Sequence, residues 1–428
     1  MISFLPLLLL VIFLMVGVPI AFALAGAGFL GIWIVTGDLG GAFAVLVTAP
    51  FSTVAQFALT TIPMFILMAY FSSSGGLAGD LYDTASKWFS NIRGGLAIAT
   101  VFACGIFGAM SGATVAAAAV MAKIAMPNMR RFGYSETLAA GAICVGSTID
   151  MLIPPSVGMV VYGILTGTSI SKLLIAGVIP GIILGILLSF VILVWVMLRP
   201  HHAPETFKVS WVERFKSLFH VWPSLLLILL VLIFLYTGIA TPTEVGAIGA
   251  VIAALIGVFM GRLSWSGALE SLKSTIRTST MIFMILIGGT IFGYYMAVSQ
   301  VPQHIVTLIT EMNLNRWLVM IGIIVVYFVV SMFMDEIPLM LITLQLTFPL
   351  IIALNFDPIW YGVMTCMLVC MGLVFPPVGM IVFVVCSIAK VDLVKAYKGS
   401  SIMMIAIVAT TILLMFFPSI ATWLPSKM

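Results

Sequence analysis

A long apolar run interrupted at its centre by two adjacent prolines fits few folds, and this chain contains that interruption twice. Gly146-Ser-Thr-Ile-Asp-Met-Leu-Ile-Pro-Pro-Ser-Val-Gly-Met159 carries Pro154 and Pro155, and Gly372-Leu-Val-Phe-Pro-Pro-Val-Gly-Met380 carries Pro376 and Pro377. Proline has no N–H, so a helix through these points loses the usual donors to the carbonyls of Asp150 and Met151, and of Gly372 and Leu373. The surroundings make that expensive. The chain of 428 residues is 63% hydrophobic and 7% charged, with a mean hydropathy of +1.28, which marks a polytopic membrane protein. In hydrocarbon an unpaired carbonyl costs on the order of several kcal/mol unless it faces protein or a water-filled cavity. One such break would read as a kinked helix satisfied by its neighbours. Two nearly identical ones require a common purpose.

The breaks belong to a larger repeat. Displaced by 222 residues, the chain aligns Pro127 with Pro349, Tyr134 with Phe356, Asn91 with Asn313, and one Pro-Pro pair with the other. Displacement by 221 aligns Gly158-Met159 with Gly379-Met380, and by 223 aligns Pro19 with Pro242. Two related halves, 1–198 and 221–428, are joined by a polar connector, 199–220, running from Arg199-Pro-His-His-Ala-Pro-Glu205 to His220. In the first half an apolar run breaks at Gly17-Val-Pro19, a loop follows at Gly37-Asp38, and an apolar segment spans about 53–71. Ser72-Ser-Ser-Gly-Gly76 closes it, and an amphipathic piece runs from Asp80 to Arg93. Two apolar arms come next, 96–109 and 114–127, separated by Met110-Ser-Gly-Ala113. Each is shorter than the roughly 20 residues of a spanning helix, which predicts a re-entrant hairpin over 96–127. One continuous helix through Ser111-Gly112 is the alternative. The counterpart over 317–353 has the sharper tip Phe333-Met-Asp-Glu-Ile-Pro338, whose acids and proline do not suit a lipid-facing helix. The broken helices are expected over 137–165 and 358–386.

Charge supplies orientation. If both hairpins return to their side of entry and each half makes an odd number of crossings, the halves are inverted. Fourteen of the 18 Lys and Arg residues then share one side, Arg93, Arg130, Lys208, Arg262 and Lys395 among them, against three (Lys172, Arg316 and Lys427) on the other; Lys123 lies within a hairpin arm. By the positive-inside rule the crowded side is cytoplasmic, both termini are periplasmic, and the hairpins enter from opposite faces. The net charge of +4 gives no sign of a nucleic-acid partner. The first thirty residues lack a basic start and a polar cleavage site and read as a first span. The five cysteines lie in apolar segments; Cys366 and Cys370 share a helix face without a nearby His and read as packing.

The expected fold is therefore all-α and membrane-embedded, with two inverted-topology repeats, each holding a hairpin and a Pro-Pro-broken helix. Such paired breaks are the mark of secondary transporters that bind cargo near the bilayer midplane. Freed carbonyls before each break are hard ligands for a small cation such as sodium. The half-helix after it offers N–H groups and a positive dipole end to an anion. Ser147, Thr148 and Ser156 add hydroxyls at the first break, Ser111, Gly112 and Thr114 form or flank one hairpin tip, and Asp335 and Glu336 form the other. Asp150 is the candidate site carboxylate. The two tip acids could be ion ligands, proton carriers or helix caps. Glu244 reads as a first-turn acid, Lys123 as a snorkelling lysine, and His304 as a loop residue without a role. No Arg or Lys lies in the Pro-Pro segments or the tips, so an anionic cargo must be neutralised by helix ends, hydroxyls and bound cations.

Several stretches, weak singly and strong in this order, resemble the large membrane subunit of tripartite ATP-independent periplasmic (TRAP) transporters. They are Ser111-Gly-Ala-Thr114, Phe132-Gly-Tyr134, Ile153-Pro-Pro-Ser156, Ala176-Gly-Val-Ile-Pro-Gly181, Ala240-Thr-Pro-Thr-Glu244, Met332-Phe-Met-Asp335, Phe356-Asp-Pro358 and Phe375-Pro-Pro-Val-Gly379. The resemblance implies a scaffold with an elevator-like transport domain in a bacterial or archaeal inner membrane. It also implies sodium-coupled import of an organic acid anion, a carboxylate or a sulfonate. The cargo would be delivered by a periplasmic binding protein, and a small four-helix-type membrane subunit would pack on the scaffold. Three departures stand out: Ala113 follows Gly112 at the first tip where serine is frequent, and Phe375 for threonine and Cys370-Met371 where polar side chains are common make the second-half site less polar than the family pattern. A stand-alone sodium- or proton-coupled anion symporter or antiporter of similar build is the alternative. No nucleophile–base pair, paired-aspartate motif or His-Glu-x-x-His motif argues for an enzyme.

Overall fold

The computed structural model describes residues 4–112, 114–204, 209–312 and 314–428. Ala113, Glu205, Lys208 and Asn313, which figure in the sequence reading, lie outside the described residues. The described residues are helical, with no strand among them, and seven helical stretches are long and apolar enough to cross a membrane.

The chain starts with α1 (Leu5–Met15), α2 (Ile20–Thr36) and α3 (Leu39–Val54), divided at the expected places: Pro19 precedes α2, and Gly37 closes it with φ +69°. The apolar run 53–71 is not one element. The backbone turns at Ala55-Gln56, passes one 3₁₀ turn, and resumes as α4 (Thr61–Ser74), whose first turn holds Pro63 where a missing N–H does no harm. The amphipathic α5 (Leu77–Phe89) leads to the hairpin, α6 (Gly95–Ser111) and α7 (Thr114–Arg131), two helices packed on one another. Gly112 ends α6 in the left-handed region at φ +59°, a conformation that stops a continuous helix at this point.

After the hairpin come α8 (Glu136–Ser147), the first break, α9 (Val157–Thr166), α10 (Ile170–Ala176) and α11 (Val178–Leu198). The polar connector is shorter than its composition suggests, because α12 (Trp211–Thr237) has absorbed its second half. Then follow α13 (Pro242–Phe259), α14 (Trp265–Ser299) and α15 (Val301–Glu311). Thr241 and Glu244 cap α13 reciprocally, as the first-turn acid suggested. His304 sits on α15, not in a loop. The second hairpin is α16 (Arg316–Ser331) and α17 (Glu336–Ala353); α18 (Pro358–Leu373), the second break, α19 (Met380–Ala389) and α20 (Leu393–Phe416) complete the order.

The two halves meet through hydroxyls and bare glycines. Along α14 and α13 run the pairs Thr53–Thr290 (3.0 Å), Tyr70–Thr278 (3.0 Å), Ser74–Ser271 (2.9 Å) and Thr61–Thr243 (2.7 Å), which join α3 and α4 to the second half. Around the breaks the packing is reciprocal. The second arm of the first hairpin, α7, lies against α19, and the second arm of the other, α17, lies against α9. At one end Glu136 accepts from Arg130 (2.8 Å) and Lys395 (2.9 Å), and Arg130 reaches the carbonyl of Lys390 (3.2 Å). Arg262 pairs with Asp80 at another loop contact between the halves. Cations that the charge layout assigns to one side, from both halves, thus share these contacts.

Candidate transport site at the paired helix breaks

The helix before the first break stops earlier than the prolines alone require. α8 ends at Ser147, and Thr148–Met151 forms a 3₁₀ turn before Pro154 and Pro155, whose peptide bond is cis, as is that of Pro376-Pro377. Ser147 Oγ donates to the carbonyl of Cys144 (2.9 Å), Thr148 Oγ1 to Val145 (2.8 Å), and Ser156 Oγ to Met151 (2.8 Å). Ser156 also caps α9 by accepting from the Met159 N–H (3.3 Å). These hydroxyls have their protons committed to carbonyls, so the lone pairs left over suit a cation better than an anion.

The first hairpin docks tip-first on this break. Gly112 accepts from the N–H of Val157, the first residue of α9 (3.3 Å), and a Cβ at Gly112 would stand 2.9 Å from the Pro155 carbonyl oxygen. Thr114 Oγ1 donates to Asp150 Oδ1 across 2.7 Å, with both residues buried. Gly108 makes the approach possible, since a Cβ there would lie 2.2 Å from that of Asp150. The other carboxylate oxygen, Asp150 Oδ2, is buried without a partner among the described residues. Ser111 Oγ turns back to the Gly108 carbonyl (3.4 Å).

The second hairpin repeats the docking with different chemistry. The N–H of Gly379, equivalent to Val157 at the 222-residue displacement, donates to Met332 at the tip (3.4 Å). Gly372 is the equivalent of Asp150, and here the small residue is on the broken helix: a Cβ on Gly372 would stand 1.9 Å from Ser331 Oγ. Ser331, which the sequence did not single out, fills from the hairpin side the wedge that Asp150 fills from the break side. The carbonyl of Gly372 accepts from Phe375 N–H (3.2 Å), so it and the Met151 carbonyl each already hold one donor. Two residues of α20, also unforeseen, cover the second break: Ser400 donates to Val374 (2.8 Å), and the Tyr397 hydroxyl lies 2.6 Å from the Val378 oxygen and 3.1 Å from that of Pro377. At the first break the carbonyl of Leu152, equivalent to Val374, faces bare Gly177 instead.

Of the tip acids, Asp335 is a cap, accepting from the Glu336 N–H (2.9 Å) at the start of α17. Glu336 is buried, and its carboxylate lies beside the first turn of α9, where a Cβ on Gly158 would be 3.6 Å from Oε2. Cys370 reaches across from α18 to the Thr148 carbonyl (3.4 Å) and the Met151 sulfur (3.3 Å). The two breaks are therefore neighbours, and Leu373, Pro376 and Pro377 continue the second opposite the first. Lys123 is exposed on α7, away from this cluster.

Two hairpins seated on two interrupted helices, with polar groups turned inward among long apolar helices, define a polytopic membrane carrier. Comparison with known proteins gives the family. The model of the tripartite ATP-independent periplasmic transporter, DctM component, matches residues 7–420, and the chain belongs to that family. Its relatives include the C4-dicarboxylate TRAP transporter large permease protein DctM of Pseudomonas aeruginosa, 33% identical with 91% of this chain and 93% of the relative covered. The ectoine large permease TeaC of Halomonas elongata is 32% identical with 96% of each covered, and the sialic acid large permease SiaM of Vibrio cholerae 27% with 96% of each. Among solved structures, the YdaH transporter of Alcanivorax borkumensis superposes with a TM-score of 0.65 over 90% of each chain at 12% identity, a likeness of fold.

Proposed function

We propose that this TRAP large subunit imports an organic acid anion, a carboxylate or a sulfonate, coupled to the sodium gradient. The cargo is received from a periplasmic binding protein, and a small membrane subunit braces the scaffold. The observation that carries the sodium site is Asp150 Oδ2, a buried carboxylate oxygen without a partner among the described residues, while Thr114 donates to Oδ1 and the Ser147 and Thr148 hydroxyls donate to carbonyls of α8. Sodium takes oxygen ligands, and Asp150 with the carbonyls of Asp150 and Met151 and the hydroxyls of Thr114, Ser147 and Thr148 supplies them. The carbonyls of Gly372 and Leu373 are the corresponding candidates at the second break, which α20 hydroxyls already partly satisfy. The anion sits between the breaks, facing the first turns of α9 and α19, its charge offset by sodium and helix ends. Both termini lie in the periplasm, and the shared Arg130–Glu136–Lys395 end is cytoplasmic.

In proteoliposomes, uptake of an organic acid is expected to need a sodium gradient, the small subunit and the loaded binding protein together. Uptake by this chain alone would overturn the tripartite reading. Replacing Pro154-Pro155 by Ala-Ala returns two N–H donors to the break and is expected to abolish sodium dependence; unchanged transport would refute the role of the break. The buried Glu336 keeps a proton-coupled stand-alone carrier as the second reading. Uptake driven by a pH gradient at zero sodium, and lost in Glu336→Gln, would favour it.

A further inference from the structure

Away from the breaks, α5 and α12 face one another across a cavity of about 610 Å³ at the Lys- and Arg-rich end. Asp83 and Lys87 stand four residues apart on α5, and Glu213, Lys216 and His220 recur on one face of α12 at helical spacing. Acid and lysine at this spacing normally pair along the helix surface. Here, among the described residues, none of these four charges forms an ion pair, either along its own helix or across the gap. Among the described residues, two carboxylates and two ammonium groups leave the lining with no net charge but with both signs presented. Tyr82 also lines the cavity, with a buried hydroxyl that has no hydrogen-bond partner among the described residues. Thr84 ties α5 to the Ser217 carbonyl of α12 (3.1 Å), and Arg214 reaches Ser90 (3.2 Å), so the two walls are held together beside the cavity.

The setting is that of a membrane–water boundary. Trp88 stacks edge-on against Phe215, and Phe215 and Phe219 on α12 are exposed next to the charged face, as aromatic residues are at headgroup level. We propose that this cavity binds the headgroup of a zwitterionic phospholipid with a primary ammonium, phosphatidylethanolamine in class. Lys87 and Lys216 take the phosphate, Asp83 and Glu213 the ammonium, and Phe215 and Phe219 lie along the acyl chains. The balanced charge disfavours a net-anionic lipid. Carboxylates select an ammonium with N–H donors over a quaternary one, for which an aromatic cage is the usual site. Asn128 of α7 closes the far wall, so the lipid would touch the first hairpin and the α5–α12 pair at once.

The test uses the full chain in nanodiscs of phosphatidylethanolamine, phosphatidylglycerol or phosphatidylcholine, with native mass spectrometry reading the lipid retained after release. One ethanolamine lipid is expected to persist. The Lys87→Ala/Lys216→Ala variant should reduce its retention about tenfold or more, the loss of charge-assisted hydrogen bonds. Asp83→Asn/Glu213→Gln leaves a cationic cavity and should switch preference to the glycerol lipid, and Lys216→Arg should retain the ethanolamine lipid. Equal retention of the three lipids, or retention unchanged in both double variants, overturns the proposal. So does free phosphoethanolamine binding as well as the lipid, which would assign the cavity to a soluble ligand. The charge-switch variant keeps the proposal falsifiable if the alanine variant fails to fold.

Discussion

Thr114→Val removes one hydroxyl and almost no volume, and it addresses the contact on which the first site depends. The Thr114 hydroxyl donates to Asp150 across 2.7 Å in surroundings where both residues are all but buried. A hydrogen bond to a charged group contributes about 1.5–3 kcal/mol, and its loss here leaves both carboxylate oxygens unsatisfied. Valine cannot donate, so the sodium-free protein should lose stability of that order, about 1.5–3 kcal/mol. If Thr114 and Asp150 hold sodium together, the concentration that half-activates uptake should rise by about tenfold or more, each 1.4 kcal/mol being one decade. The assay is a double-mutant cycle in proteoliposomes with Thr114→Val, Asp150→Asn and their combination, read by sodium activation and thermal unfolding. Once Asp150 is neutral, removing the hydroxyl should have little further effect, giving a coupling energy above about 0.5 kcal/mol. Additive effects, or an unchanged sodium dependence in Thr114→Val, would refute the pairing as a sodium site.

Gly372→Ala should displace the second hairpin, because its methyl would meet Ser331 Oγ at 1.9 Å and the Ser331 backbone at 2.4 Å. Overpacking of this kind costs about 1–3 kcal/mol, and wild-type melting of the variant would contradict the close contact. Glu136, whose carboxyl is held below the usual range first by its hydrogen bond to Lys395 and then by that to Arg130, contributes stability above its unfolded pKa that is lost as pH falls through its folded pKa. Glu136→Gln should therefore destabilise by about 0.2–1 kcal/mol per exposed pair at neutral pH and by nothing once the carboxyl is protonated. A pH-independent difference would exclude the ion pairs as its source. Cysteines placed at Lys172 and Lys427 should react with an impermeant maleimide from the periplasm, and one at Arg131 only after permeabilisation; the reverse pattern would invert the assigned orientation.

What could be read from the chain was what depends on local backbone chemistry and on spacing. Ser111-Gly112 marked where a helix could end between two arms too short to span, and Gly112 ends it at φ +59°; the proline pairs marked the interruptions at α8–α9 and α18–α19. Composition dictated the membrane, and the 222-residue displacement dictated that each device occurs twice. The turn at Ala55-Gln56 escaped because no glycine precedes it, and the first part of α12 because its polar residues mask a helix that continues into the bilayer. The partners of the breaks were beyond reach for another reason. Ser331, Tyr397 and Ser400 are hydroxyl residues on apolar helices, whose side chains ordinarily satisfy their own preceding turn and leave no periodic signal. Only packing showed that Ser331 meets Gly372 and that α20 covers the second break. The same holds for Asp150. Sequence could name it as an acid beside a proline pair, but the docking of Gly108 and Thr114 from a separate hairpin decided that one of its oxygens is bonded and the other left open. Local sequence determined where each helix must stop; the contact between distant stops determined which polar atoms remain to hold a cargo.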